Sequence, residues 1–193
     1  TTYNIMGSGA DADFTARVVA IADDVKRSES YYDLGGDYAV FAIGYKGAFG
    51  TEQAKTLSVY SYKDLQREMI DKVVTYNIMG SGVDASFTTR VVTLVDDVKR
   101  SESYYDLGGE YAVFALGYKG AFGTEQARTL SSYTYRDAQH EQIDKVTTYN
   151  IMAGSADVDF TARTIVLVND VKRSESYYDA GGEYAAFALG YKG

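Results

Sequence analysis

The sequence has no cysteine, no proline and no tryptophan, and one histidine among 193 residues. Without cysteine there can be no disulfide, no thiolate metal site and no cysteine nucleophile. Positive charge is also short: 19 Lys and Arg stand against 27 Asp and Glu, a formal net charge of -8. A nucleic-acid binder needs the opposite balance to displace counterions from phosphates, and an anionic membrane surface repels the same surplus. No apolar run approaches the roughly 18 residues of a membrane-spanning helix. Nucleic acid and membrane insertion are therefore not expected, whereas a protein partner with a basic face, or self-association, suits the acidic balance. What the chain has in unusual amount is tyrosine, 19 copies, within a composition that is 46% hydrophobic.

The chain is a repeat. Thr2-Tyr3-Asn4-Ile5-Met6 returns at Thr75–Met79 and at Thr148–Met152, a spacing of 73 both times. Residues 1–73 and 74–146 differ at 16 positions, and a partial third unit covers 147–193. A second parsing has modules 1–47, 74–120 and 147–193 joined by connectors 48–73 and 121–146. A fixed period of this length marks units that bury their apolar faces against each other.

The copies can be read against one another. Between Phe14 and Asp23 the variable positions alternate with constant ones. Ala16, Thr89 and Ala162 vary, while Arg17, Arg90 and Arg163 do not. Period-2 variation is the mark of a strand, although Phe14, Val18, Ile21 and Val25 also fit helical spacing. Asp37–Tyr45 alternates with Phe41, Ile43 and Tyr45 on one face, preceded by a turn at Gly35-Gly36. Thr2–Met6 reads as a short strand, Ser58–Tyr62 as another, and Val25–Asp33 as a polar loop or a single helical turn. Lys63–Val73 reads as a helix with Gln66, Ile70 and Val73 in one stripe; one long helix from Thr51 is the alternative. Leu65 and Met69, which become Ala138 and Gln142, are expected outside the core, because a buried amide needs partners. The expected fold is α+β: tandem small antiparallel-sheet units, each with about one helix.

Catalytic signals are weak. His140 stands where the first copy has Arg67, so a general base there has no sister residue, and a solvated helix face is the expectation. Asp11-Ala12-Asp13 lacks the rest of a calcium loop. Asp23-Asp24 becomes Asn169-Asp170 in the third copy. No metal or cofactor is expected. The most distinctive stretch is Lys-Arg-Ser-Glu-Ser-Tyr-Tyr-Asp, unchanged in three copies. Tyrosine, arginine and aspartate together make recognition surfaces, and three copies give avidity. The candidate binding residues are thus Arg27, Tyr31, Tyr32, Asp33, their counterparts Arg100, Tyr104, Tyr105, Asp106, and Arg173, Tyr177, Tyr178, Asp179. Arg17, Arg90 and Arg163 are candidates for pairing with acids inside the fold.

The segment Tyr60–Met69 followed by Thr75–Met79 resembles the strand-helix-strand of small phycobilisome linker domains over about 20 residues per unit. It departs from them in its acidic charge and in lacking a glycine pair before the last strand. The resemblance implies a helix at 63–73. The residues themselves point to a non-catalytic structural or linker protein that presents repeated acidic, tyrosine-bearing surfaces to partners. A multivalent carbohydrate- or small-ligand-binding protein is the alternative, with an enzyme as the third class.

Overall fold

The computed structural model describes residues 1–4, 12–13, 18–19, 24–80, 82–152 and 155–192. Among the described residues there are 17 strands and no helix. The fold is all-β, not α+β. Eleven strands form one antiparallel sheet: β1 (Thr2–Asn4), β4 (Val25–Tyr32), β5 (Ala39–Lys46), β6 (Gln53–Tyr62), β7 (Ile70–Asn77), β10 (Val98–Tyr105), β11 (Ala112–Lys119), β12 (Gln126–Tyr135), β13 (Ile143–Asn150), β16 (Val171–Tyr178) and β17 (Ala185–Gly190), neighbouring in that order. Six short strands make three two-residue ladders: β2 (Ala12–Asp13) with β3 (Val18–Val19), β8 (Ala85–Ser86) with β9 (Val91–Val92), and β14 (Val158–Asp159) with β15 (Thr164–Ile165). The repeat boundaries after residues 73 and 146 fall inside β7 and β13. The linker-like helix and the long helix from Thr51 are both absent: 53–62 and 70–77 are strands.

The expected helix at 63–73 is a hairpin loop followed by a strand. Lys63 N–H donates to the Met69 carbonyl and closes the loop. The Asp64 carboxylate accepts the amides of Glu68 and Met69, an alternative to the helical ladder that aspartate offers readily. Arg67 sits at φ 60°, a left-handed residue that stops any helix. The second copy repeats this with Arg136, Asp137 and Gln142, and with His140 at φ 58°. After the loop, the β-branched run Val73-Val74-Thr75 suits a pleated surface. The 66, 70, 73 stripe spans a loop and a strand, so its helical spacing is accidental. Leu65 is 95% exposed, as its exchange for Ala138 suggests.

The long strand expected over Phe14–Asp23 is also corrected. Phe14–Arg17 and 20–23 lie outside the described residues, but the second copy shows the equivalent segment. There Ala85 pairs with Val92 and Ser86 with Val91, around a turn at 87–90. Arg90 and Arg163 occupy left-handed turn positions, φ 58° and 56°. The polar stretch after it is the reverse case. Val25–Tyr32 is a full eight-residue strand, not a loop.

Two compact units are present. In the first (Thr1–Val59 with Tyr76–Asp97), Phe41, Ile43 and Leu57 are fully buried, packed by Tyr31, Tyr45, Val59, Tyr76, Val83 and Val92. In the second (Tyr60–Thr75 with Val98–Gly193), Tyr104, Phe114, Leu116, Leu130 and Ile151 form the core. In each, the sheet buries one face under a short ladder hairpin. Phe87 lies over the Tyr31–Phe41 stack, and Phe160 over Tyr104–Phe114.

Candidate functional site

The register of the second unit assigns every sheet residue to a face. One face carries, in cross-strand order, Glu102, Leu116, Leu130 and Tyr149, and beside them Tyr104, Phe114, Ser132, Thr147 and Glu175. The other carries Ser103, Ala115, Ser131, Thr148, Ser174 and Gly190 in one row, and Tyr133, Val146, Ser176 and Ala188 in the next. The first face is the packed one. The second is lined by small side chains, with Ser131 and Thr148 hydroxyls hydrogen-bonded at 3.2 Å.

The chemistry-bearing cluster lies on the packed face and is centred on Glu102. Its Oε2 accepts from the hydroxyls of Tyr104 (3.0 Å) and Tyr118 (2.5 Å), and its Oε1 pairs with Lys99 (3.2 Å) and Lys72 (3.5 Å). Lys99 also lies over the Tyr118 ring, and Lys72 over Tyr104. Lys99 and Glu102 are three apart, which would set them on opposite faces of a regular strand. A β-bulge brings them together. In the equivalent pairing, Thr148 faces Ser174 while Tyr149 faces Lys172, leaving Arg173 as the extra residue. The same bulge sits at Arg27 in the first unit, where Thr2 faces Ser28 and Tyr3 faces Lys26.

The cluster recurs with graded completeness. Glu29 accepts from Tyr31 and Tyr45 (3.0 and 2.6 Å) and, among the described residues, pairs with Lys26 alone (3.1 Å). Glu175 accepts from Tyr177 and Tyr191 and pairs with Lys145 and Lys172 (3.4 and 3.1 Å). Burial pushes the Glu102 carboxyl up. The Tyr118 hydroxyl and the two lysines outweigh it and hold the group below the usual carboxylate range. Hydrogen bonds from Tyr191 and Lys172 bring Glu175 down to about 2. The tyrosines move the other way: burial, then Glu102, raises Tyr104, and burial, then the hydrogen bond to Glu29, raises Tyr45. The glutamates are ionised acceptors and the tyrosines neutral donors, each satisfied by the other. The arrangement holds charge in place and offers no poised acid-base pair.

The sequence-derived candidates separate. Tyr31 and Tyr104 belong to the packed face, stacked on Phe41 and Phe114 at 4.8 and 5.0 Å; Tyr177 stacks likewise on Phe187. Tyr32 is 48% exposed, and Tyr105 and Tyr178 are half-buried. Asp33, Asp106 and Asp179 organise turns: Asp106 accepts the amides of Gly108, Glu110 and Tyr111, Asp33 accepts the equivalent three, and Asp179 accepts those of Glu183 and Tyr184. Arg27, Arg100 and Arg173 are exposed, and Arg27 donates to Asn4 at 3.3 Å. The octapeptide is therefore not one contiguous binding epitope. Sequence reasoning missed Glu29, Glu102 and Glu175 and the lysines. Their signal was the constant Lys-x-x-Glu-x-Tyr spacing together with the constant Tyr45, Tyr118 and Tyr191.

No known protein family, curated protein or solved structure matches the chain.

Arg90 and Arg163 act as lids. Arg90 lies over the Tyr31 ring at 5.2 Å and donates to the Tyr32 carbonyl (2.9 Å). Arg163 lies over Tyr104 at 5.1 Å and pairs with Asp71, an acid outside the octapeptide; Arg17 lies outside the described residues. His140 is not on a solvated helix face: its ring stacks on Tyr111 at 3.7 Å. Asp84, Asp96 and Asp97 bring ligand atoms within 4.8 Å of one another. Asp84 Oδ2 accepts the amides of Val95, Asp96 and Asp97, and Asp97 accepts those of Met79 and Asp84. Asp157 and Asp170 hold the third copy's loop in the same way with Asn169 in the place of Asp96, so this geometry is loop architecture. A cleft of about 430 Å³ lies beside β12, lined by Leu116, Tyr118, Gln126, Arg128, Met152 and Phe160 among others.

Proposed function

We propose that the chain is a non-catalytic structural or linker protein, a scaffold that presents repeated faces to partner proteins in an assembly. The observation that carries the reading is the division of labour between the faces. Three Glu-Lys-Tyr clusters, centred on Glu29, Glu102 and Glu175, hold charge on the packed face. The opposite face offers in-register serine, alanine, glycine and threonine (Ser103, Ala115, Ser131, Thr148, Ser174) with Tyr133 in the next row. Small side chains let a partner approach the backbone closely, and tyrosine adds amphipathic contact area at low entropic cost. Repetition multiplies any one contact. A net charge of -8 favours a partner with a basic face.

The test is co-purification from native extract with quantitative mass spectrometry, comparing the wild type with a Ser103→Lys, Ser131→Lys double variant. The expected result is a defined partner set retained by the wild type and lost from the variant. Equal retention by both, or a monomeric wild type that retains nothing, refutes the reading. Small-ligand binding draws its support from the cleft, where Tyr118 and Phe160 offer rings beside the polar Gln126 and Arg128. Calorimetric titration with oligosaccharides tests it, with heat lost in Arg128→Ala as the supporting result.

A further inference from the structure

Arg163 carries a buried donor with nothing to donate to. Its side chain is 10% exposed, its Nη2 pairs with Asp71, and its guanidinium lies over the Tyr104 ring. Among the described residues its Nε has no hydrogen-bond partner. A buried N–H left without an acceptor is costly and uncommon. Beside it, at the turn between β10 and β11, is a pocket of about 320 Å³ lined by Asp106, Leu107, Tyr111, Val113, Ala162 and Arg163. Val113 is the extra residue of a bulge there: Tyr104 faces Phe114 and Tyr105 faces Ala112. β10 is the sixth of the eleven sheet strands.

The lining indicates what the missing acceptor is. A trapped water needs about two to four polar partners. Here the walls beyond Arg163 are the alkyl groups of Leu107, Val113 and Ala162 and a tyrosine, and the Asp106 carboxylate is already held by three backbone amides. Charge is balanced as well. Arg163 is paired with Asp71, and Lys63, whose ammonium is lowered by burial and then by Arg163, donates to the Asp106 carbonyl. Two cations thus stand with two anions, and an anionic ligand finds no positive surplus. The sister arginine supplies a precedent on the same chain: Arg90 Nε donates to the backbone carbonyl of Tyr32 at 2.9 Å. An uncharged peptide carbonyl beside an apolar side chain meets all of these conditions.

We propose that the pocket beside Arg163 binds a peptide segment of a partner protein, with a backbone carbonyl accepting from Arg163 Nε and a leucine-sized side chain lying on Leu107, Val113 and Tyr111. Its volume is at the small end of ligand sites, room for one residue and its flanking peptide groups. As a partner contact the site rests on the scaffold reading. It is tested on the isolated chain with a single-residue probe, so its failure and a failed co-purification are separate results.

The probe is N-acetyl-L-leucinamide, titrated into the isotope-labelled 193-residue chain and followed by NMR through the Arg163 Nε–H cross-peak, which Arg163→Lys identifies by its loss. Saturation at a Kd of about 1–10 mM is expected for a ligand of this size, with the Nε–H resonance moving downfield. Leu107→Ala, at a 65% exposed position that is Ala180 in the third copy, keeps the fold and weakens binding about three- to tenfold. Ala162→Phe, at an exposed turn position, fills the pocket and abolishes binding. No saturation, saturation with the Nε–H resonance unmoved, or equal affinity in Ala162→Phe overturns the proposal. Tighter binding of 4-methylpentanoate than of the amide overturns it in favour of an anion site.

Discussion

Replacing Glu102 by Gln asks how much a sealed carboxylate contributes to the sheet. The substitution keeps the shape and removes the charge. It leaves Lys72 and Lys99 without their anion and gives the Tyr104 and Tyr118 hydroxyls a weaker acceptor. Removing one partner of a fully buried pair costs about 3–5 kcal/mol. Here the lysines are about 30% exposed, so water recovers part of their solvation, and we expect about 2–3 kcal/mol. Glu29→Gln is the internal control. The local sequence is the same, but Glu29 has one lysine and its side chain is 19% exposed, so about 1 kcal/mol is expected. Urea unfolding followed by hydrogen exchange in each unit separates the two effects without assuming one global transition. At an m-value of about 2–3 kcal/mol/M, Glu102→Gln lowers the midpoint for the second unit by roughly 1 M. Equal costs for the two substitutions, or less than about 0.5 kcal/mol for Glu102→Gln, would refute the argument that enclosure by two lysines sets the contribution.

The pH dependence has two arms. Glu102 and Glu175 titrate below their ordinary 4.5 in the fold, so the unfolded chain binds more protons there. Their stabilisation is complete above 4.5 and is lost as pH falls, for Glu175 down to about 2; acid titration by circular dichroism should show this, and Glu102→Gln should flatten it. Tyr45 and Tyr104 titrate above 10, so their contribution is present below 10 and lost as pH rises beyond it, seen as delayed phenolate absorbance at 295 nm in the folded chain. Gly109→Ala should be severe. Its φ is +75°, and a Cβ would lie 2.5 Å from Ile70 N and 2.6 Å from Met69 Cα, so at least about 3 kcal/mol is expected. Gly36→Ala has φ +83° with nothing within 4 Å and should cost about 1 kcal/mol, the left-handed penalty alone; equal thermal shifts for the two would deny that contact decides. Asp106→Ala frees the amides of Gly108, Glu110 and Tyr111 and should cost about 1–2 kcal/mol, read as faster exchange of those amides with the β10–β11 register retained.

What was legible depended on whether a signal was local to one strand. The alternation of Phe41, Ile43 and Tyr45 is a property of β5 itself, and the structure has that strand. The glycine pair at 35–36 marks a turn for the same reason, with Gly36 at φ 83°. Val25–Tyr32 was read as loop because its polarity hides its period. A bulge at Arg27 re-phases the strand, so Lys26 and Glu29 share a face although their spacing says otherwise. The helix at 63–73 came from three apolar or amide positions at helical spacing. No spacing rule registers that Asp64 would hold the amides of Glu68 and Met69 in a loop. The carboxylate cluster was illegible because its members come from three strands: Lys72 from β7, Glu102 and Tyr104 from β10, and Tyr118 from β11.

Identical octapeptides do not make identical sites. The three glutamates have the same sequence neighbours, yet among the described residues Glu29 pairs with one lysine and Glu102 and Glu175 with two, the second being Lys72 and Lys145 of the preceding copy's last strand. The aromatic stacks are graded from the other direction. Tyr31–Phe41 and Tyr104–Phe114 are covered by a phenylalanine and an arginine of the following repeat, while Phe187 stays open. The second and third copies thus draw a lysine from the copy before them, and the first and second draw aromatic cover from the copy after them. Stability in such an array resides in the junctions as much as in the units. A substitution at a junction, such as Phe160→Ala, should therefore be felt in the neighbouring repeat: the Tyr104–Phe114 pair should lose exchange protection before β14–β15 does, and protection lost only within 156–165 would show the junction to be passive.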